Sequence, residues 1–199
     1  MRASFLAVAA SAALAAACGG LEAPDLSTGA IAGRISDAHP GGRVYVLGRP
    51  DLGASLAADG SFYVDGVPVG PAQLVALDGA ERAGLLAAEV RSAEVSWVGG
   101  PSPALPQAAE GVLPLAGFVT ARAVEPGGAA HLGARFTVVG TDQVDVAAGA
   151  GGEVVLGPLP PGSFELLVEA DGRGDGRAPV EVRSGETVLA EVTLVPSAP

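Results

Sequence analysis

Apolar and polar residues alternate with a period of two along much of the chain. Phe164, Leu166 and Val168 alternate with Glu165, Leu167 and Glu169. Val180 and Val182 alternate with Glu181 and Arg183, and Val188, Ala190, Val192 and Leu194 with Leu189, Glu191, Thr193 and Val195. Phe136 and Val138 continue the pattern upstream. Nearer the start, Ile31, Gly33 and Ile35 oppose Ala32, Arg34 and Ser36, while Phe62 and Val64 oppose Tyr63 and Asp65. A period of two puts one side of a strand on a core and the other toward water. Turn residues separate these runs. Asp59-Gly60 and Gly151-Gly152 supply the positive φ of tight hairpins. Pro68-Val69-Gly70 and Pro160-Pro161-Gly162 force turns before the next strand. No helix of useful length is expected after residue 18.

The chain also repeats itself at a spacing of 92. Ala38-His39-Pro40-Gly41-Gly42-Arg43 returns as Ala130-His131-Leu132-Gly133-Ala134-Arg135. Glu89-Val90-Arg91-Ser92-Ala93-Glu94 returns as Glu181-Val182-Arg183-Ser184-Gly185-Glu186. Between these ends Gly48 matches Gly140, Gly60 matches Gly152, Pro68 matches Pro160, Gly70 matches Gly162, Leu74 matches Leu166 and Gly84 matches Gly176. Upstream, Gly33 matches Gly117 at a spacing of 84, which implies an eight-residue insertion near Val124 to Ala129. About seven short strands per copy is the spacing of a sandwich. Each copy is long enough to be a small domain, and the prolines between Gly99 and Pro106 favour an extended spacer.

The first residues read as an export signal. Arg2 precedes an apolar run from Phe5 to Ala17, about 13 residues, whereas a membrane-spanning helix needs about 20. Leu14-Ala15-Ala16-Ala17-Cys18-Gly19 resembles a bacterial lipobox, although its leucine stands one place further from the cysteine than is usual. That resemblance implies cleavage before Cys18, lipidation of its thiol, and membrane attachment through acyl chains. Ordinary cleavage after Ala-x-Ala, leaving a free thiol, is the alternative. Gly19 lacks the aspartate that retains many lipoproteins at the inner membrane, so the outer membrane is expected.

Composition narrows the remaining classes. Gly 30 and Pro 16 suit a turn-rich β architecture, and aromatic residues are only 4%. The net charge of −11 repels phosphate backbones and excludes nucleic acid as a partner. A single cysteine excludes an intramolecular disulfide and a multi-thiolate zinc site. Domains near 75 residues without a disulfide are marginal, roughly 3–5 kcal/mol, so the copies should pack against each other.

Leu159-Pro160-Pro161-Gly162-Ser163-Phe164-Glu165-Leu166, then Val180 to Val182, then Gly185-Glu186-Thr187 and a final apolar strand, resembles the carboxypeptidase regulatory-like domain. The first copy is similar through Gly33-Arg34-Ile35, Asp59-Gly60-Ser61-Phe62 and Val67-Pro68-Val69-Gly70. Other sandwich families, such as the Cna-B type, use similar turns. The resemblance implies an all-β fold: two tandem seven-stranded Greek-key, transthyretin-like β-sandwich domains. The boundaries are a signal peptide at 1–17, a short linker at 18–27, domains at 28–99 and 113–199, and a Pro/Gly-rich linker at 100–112. The last strand of the first copy is expected to be short, since Trp97-Val98-Gly99-Gly100 replaces a longer run. The family implies a folding, spacing or binding role and no catalytic residue.

Candidate chemistry is sparse, and no cofactor is implied. His39 and His131 occupy equivalent places, as single metal ligands or as turn residues inherited by duplication; one ligand cannot hold zinc. Asp171-Gly172-Arg173-Gly174-Asp175-Gly176 reads as a calcium loop, as a displayed Arg-Gly-Asp, or as a glycine-rich hairpin. No Gly-x-Ser-x-Gly elbow and no lysine-bearing phosphate loop occurs. Tyr45, Tyr63 and Trp97 fall in the first copy; the two tyrosines sit opposite the core positions and are expected to face solvent. The reading is a non-catalytic envelope lipoprotein attached through Cys18, with an envelope protein as partner. Its alternative is a carbohydrate-binding lipoprotein using Tyr45, Tyr63 and Trp97.

Overall fold

A computed structural model describes residues 27–98 and 113–196. The signal segment, Cys18 and the whole Pro/Gly-rich linker at 100–112 lie outside the described residues. The described residues are all-β, with no helix.

In the first half, seven strands form two sheets among the described residues. They are β1 (Thr28–Arg34), β2 (Arg43–Val46), β3 (Arg49–Ser55), β4 (Ser61–Pro68), β5 (Gly70–Leu77), β6 (Ala83–Val90) and β7 (Val95–Val98). One sheet has the order β4-β1-β7 and the other β3-β2-β5-β6. Strand β1 is antiparallel to β4 and parallel to β7. The sheets enclose one core, with Ile31 from β1 and Phe62, Val64 and Val67 from β4 meeting Val44 and Val46 from β2 and Leu74 from β5.

The second half contains β8 (Gly117–Val124), β9 (Arg135–Val138), β10 (Val146–Ala147), β11 (Glu153–Leu159), β12 (Gly162–Glu169), β13 (Arg173–Gly174), β14 (Gly176–Val182), β15 (Thr187–Thr193) and β16 (Val195–Pro196). Its sheets run β11-β8-β15 and β10-β9-β12-β14, and the two-residue strands β13 and β16 form a separate pair. Its core joins Val119 and Ala121 from β8 and Leu156 and Leu159 from β11 to Phe136, Leu166, Val168 and Val180 of the other sheet. Both halves are therefore β-sandwiches, and their strand orders correspond one to one once β13 and β16 are set aside.

The predicted alternation holds in the strands that carried it. Phe164, Leu166 and Val168 are buried, as are Val180, Val182, Phe136 and Val138. Gly60 and Gly152 have φ of 78° and 76°, the left-handed turn geometry expected of them. The short final strand of the first copy is also present: β7 has four residues where β15 has seven.

The alignment of the first strands needs correction. Gly29 pairs with Val67, and Gly117 pairs with Leu159, which stands 92 residues after Val67. Ala30 pairs with Val95, and Phe118 with Thr187, again 92 residues on. Gly117 is thus the counterpart of Gly29, not of Gly33, at a spacing of 88, and the insertion has four residues rather than eight. It falls within the expected stretch, where the Glu125 amide donates to the Ala129 carbonyl at 2.8 Å and closes a turn. The physical reason lies in close packing: a Cβ on Gly29 would stand 2.2 Å from the Arg91 carbonyl oxygen, and one on Gly117 would stand 2.4 Å from that of Arg183. Only glycine fits both places. Matching Gly33 instead follows glycine identity along the chain and ignores pairing.

Candidate functional site: the seam and the outer sheet faces

The two halves pack against each other. Val44, Val46, Leu74 and Ala76 face the first core, so Tyr45, Val75 and Leu77 face out from the other side of the same sheet. There they join Ala83 and Ala116 in a further buried cluster, with Leu47 and Leu85 packed on it. Strand β5 ends in Leu74-Val75-Ala76-Leu77, all buried, because the sheet is covered on both faces at this point. Its counterpart β12 keeps a clean alternation.

Polar contacts close the seam. The Tyr45 hydroxyl donates to Asp142 Oδ1 at 3.2 Å and lies 3.4 Å from the Asp142 amide. Arg43 forms an ion pair with Asp142 and lies over the Tyr45 ring, 5.7 Å from its centroid. Burial pushes the Tyr45 phenol up to about 12, against the opposing effect of the Arg43 charge. Thr141 is buried and shapes the turn that presents Asp142: its Oγ1 donates to the Val138 carbonyl at 2.9 Å and accepts from the Gln143 amide at 3.1 Å. The matched glycines of the two copies meet here, the Gly48 amide donating to the Gly140 carbonyl at 2.7 Å.

The chain between the halves is stitched to the first. Leu113, placed by the sequence in the second unit, is buried in the first core. The Leu113 carbonyl accepts from Arg82 at 2.7 Å, that of Pro114 accepts from the Ala83 amide, and the Ala116 amide donates to Glu81.

The three aromatic candidates do not share a surface. Tyr45 is 3% exposed, so the expectation that it faces solvent is corrected: its outward side is covered by the second half. Tyr63 and Trp97 are 54% and 46% exposed. They stand in one row across the outer face of β4-β1-β7, for Ala32 pairs with Tyr63 on one side and with Trp97 on the other. Ala32 is buried yet belongs to no core cluster, as expected of a small residue lying between two large ones. The next row toward one end holds Arg34 opposite Ser61, and Asp65 lies on the other side of Tyr63.

The corresponding row of the second half is Val155, Thr120 and Leu189. Val155 and Leu189 are 63% and 81% exposed. Beside them Arg122 pairs with Glu191 at 2.6 Å. Arg34, its counterpart, has no ion pair among the described residues; its Nε donates to the Asp59 carbonyl at 2.8 Å.

The other candidates are structural in their surroundings. His39 Nδ1 lies 3.8 Å from Asp78, and His131 Nε2 lies 3.7 Å from Glu125. Among the described residues no group of three or more His, Cys, Asp or Glu is placed to hold a metal ion. Arg173 is ion-paired to Glu125 at 2.9 Å, and Arg173 and Gly174 form β13, paired with β16, with the exposed Asp175 directly after it. Sequence reading did not single out Asp142, Arg43 or Arg34. The unbroken apolar end of β5 was the available signal for the seam.

No family model matches the chain, and no curated protein matches it. Among solved structures, the C-terminal domain of the Caf1A usher is 20% identical and covers 39% of this chain and 98% of its own, with a TM-score of 0.32. The minor pilin GBS52 of Streptococcus agalactiae is 14% identical over 86% of this chain and 98% of that one, with a TM-score of 0.34. The shaft pilin SpaA of Lactobacillus rhamnosus GG is 8% identical over 87% and 98%, also at 0.34. At these values the all-β sandwich architecture rests on the sheets themselves.

Proposed function

We propose that this is a non-catalytic cell-envelope lipoprotein whose two sandwich domains, 28–99 and 113–199, act as a rigid structural and protein-interaction arm. In this reading each domain is a carboxypeptidase regulatory-like, transthyretin-type Greek key. Acyl chains on Cys18 hold the arm at the outer membrane, and an envelope protein is its partner. The observation that carries the reading is the seam. Tandem domains meant to move independently keep few contacts across the linker; here Tyr45, Arg43 and Asp142 lock the halves beside a shared apolar cluster. A fixed angle between two domains is what a spacer or assembly platform requires.

The test has two parts. Metabolic labelling with an alkyne fatty acid should mark the wild-type chain and not Cys18→Ser, which should leave the membrane fraction. In-cell crosslinking followed by mass spectrometry should return one dominant envelope protein. An unlabelled wild-type chain rejects the anchor, and a labelled chain with no protein partner rejects the interaction role.

A further inference from the structure

We propose that the outer face of β4-β1-β7 binds an uncharged polysaccharide, with Tyr63 and Trp97 stacking on sugar rings and Arg34 and Asp65 bonding to hydroxyls. The inference does not depend on lipid anchoring or on a protein partner.

Four observations support it. First, geometry: Tyr63 and Trp97 flank Ala32 in one register row, on strands about 10 Å apart. The small central residue leaves a flat floor between two rings. Aromatic faces carry negative charge density and attract the C–H groups on the face of a pyranose ring. Two rings at this separation can hold two sugars of one chain.

Second, the polar groups match hydroxyls. Arg34 stands at one end of the row with guanidinium donors beyond the one bonded to Asp59. Asp65 stands at the other end, its Oδ1 accepting from the Gly66 amide at 2.8 Å and its Oδ2 left as an acceptor. A hydroxyl both donates and accepts, so a polyol satisfies both ends.

Third, size and charge disfavour other occupants. A face of three strands with seven, eight and four residues covers roughly 200–300 Å². A stable protein interface needs about 800 Å² from each partner. The net charge of −11 repels polyanions, which leaves uncharged glycans.

Fourth, the duplication supplies an internal contrast. The same row in the second half holds Val155, Thr120 and Leu189, and its arginine is occupied by Glu191. The second face keeps the shape but lacks both the aromatic rings and the open guanidinium. The site therefore belongs to the first half alone.

Trp97 is the one tryptophan of the chain, so its fluorescence reports directly on this face. The full chain would be titrated with cellohexaose, maltohexaose, laminarihexaose and chitohexaose, with polygalacturonate as an anionic control. We expect a saturable Trp97 emission change with at least one neutral hexasaccharide and none with polygalacturonate. Tyr63→Ala should weaken that binding at least tenfold, and Arg34→Gln about fivefold. Leu189→Ala on the second face should leave it unchanged. Arg34→Gln alters an exposed side chain and keeps the test valid if Tyr63→Ala folds poorly. No response to any neutral hexasaccharide overturns the proposal. Binding confined to polygalacturonate, or a response indifferent to both substitutions, overturns it too.

Discussion

The Tyr45 hydroxyl of the first half donates a hydrogen bond to the Asp142 carboxylate of the second, 97 residues away in sequence. Arg43 pairs with the same carboxylate, so one side chain on the β9–β10 turn gathers two groups from β2. The contact lies beside the apolar cluster with Asp142 largely buried and Arg43 half exposed, and hydrogen bonds to a charged group are worth more than neutral ones.

Asp142→Ala removes the acceptor and leaves the Tyr45 hydroxyl without its carboxylate in a covered site. The expected loss is about 1–3 kcal/mol, discounted because Arg43 remains half exposed. For a chain of this size that corresponds to a fall in Tm of roughly 2–10 °C. Calorimetry should also show the single transition broadening or dividing as the halves uncouple. An unchanged melting profile would remove the seam from the account of stability.

The Tyr45 phenol gives the seam an alkaline limit. Its pKa rises from 10.0 to about 12 on folding, chiefly by burial. Below pH 10 the proton is bound in both folded and unfolded chains, and the seam is intact. Between pH 10 and 12 the unfolded chain releases the proton while the folded chain retains it, so stability falls as pH rises. Denaturant unfolding at pH 9 and pH 11.5 should show this loss in the wild type and a smaller loss in Tyr45→Phe.

Gly29→Ala and Gly117→Ala should each destabilise the fold by about 1–3 kcal/mol, since a Cβ in either place meets a carbonyl oxygen rather than a movable side-chain end. Equal behaviour of the two variants would confirm that these glycines are counterparts. Chemical denaturation midpoints provide the measurement.

Leu74→Ala and Leu166→Ala empty corresponding positions in two separate cores, both fully buried. Each should cost about 2–5 kcal/mol. The double variant should show near-additive losses, because the two side chains sit in different clusters. Strong non-additivity would mean that the cores fold as one.

Asp78 is buried at the β5–β6 turn, where its Oδ1 accepts from the amides of Ala80 at 2.8 Å and Arg82 at 2.9 Å. Asp78→Ala leaves two turn amides without that acceptor and should cost about 1–3 kcal/mol. Arg82 also holds Leu113, so amide exchange should quicken through both the turn and residues 113–116.

Strand periodicity and the hairpin glycines were legible in the chain because each depends on neighbours a few residues apart, and the duplication because residue identities return in one register at a spacing of 92. A buried face demands alternation, and a left-handed turn favours glycine, wherever the strand lies. The first-strand register was not legible. It is set by partners 38 residues away in the antiparallel direction and 65 in the parallel one, as Gly29–Val67 and Ala30–Val95 show.

The sequence by itself determined that this protein is built from two copies of one all-β pattern, with Leu74 and Leu166 on the inward side of matching strands. Only the tertiary structure decided what the outward sides meet. Tyr45 and Tyr63 have the same place in the alternation, each opposite core residues, yet one is buried and the other open. The difference is which sheet face the second half covers. Packing between the halves buries the part of the outer face of β3-β2-β5-β6 that carries Tyr45, Val75, Leu77 and Ala83 and leaves Tyr63 and Trp97 on that of β4-β1-β7 in water, and a period of two distinguishes in from out but not water from a neighbouring sheet.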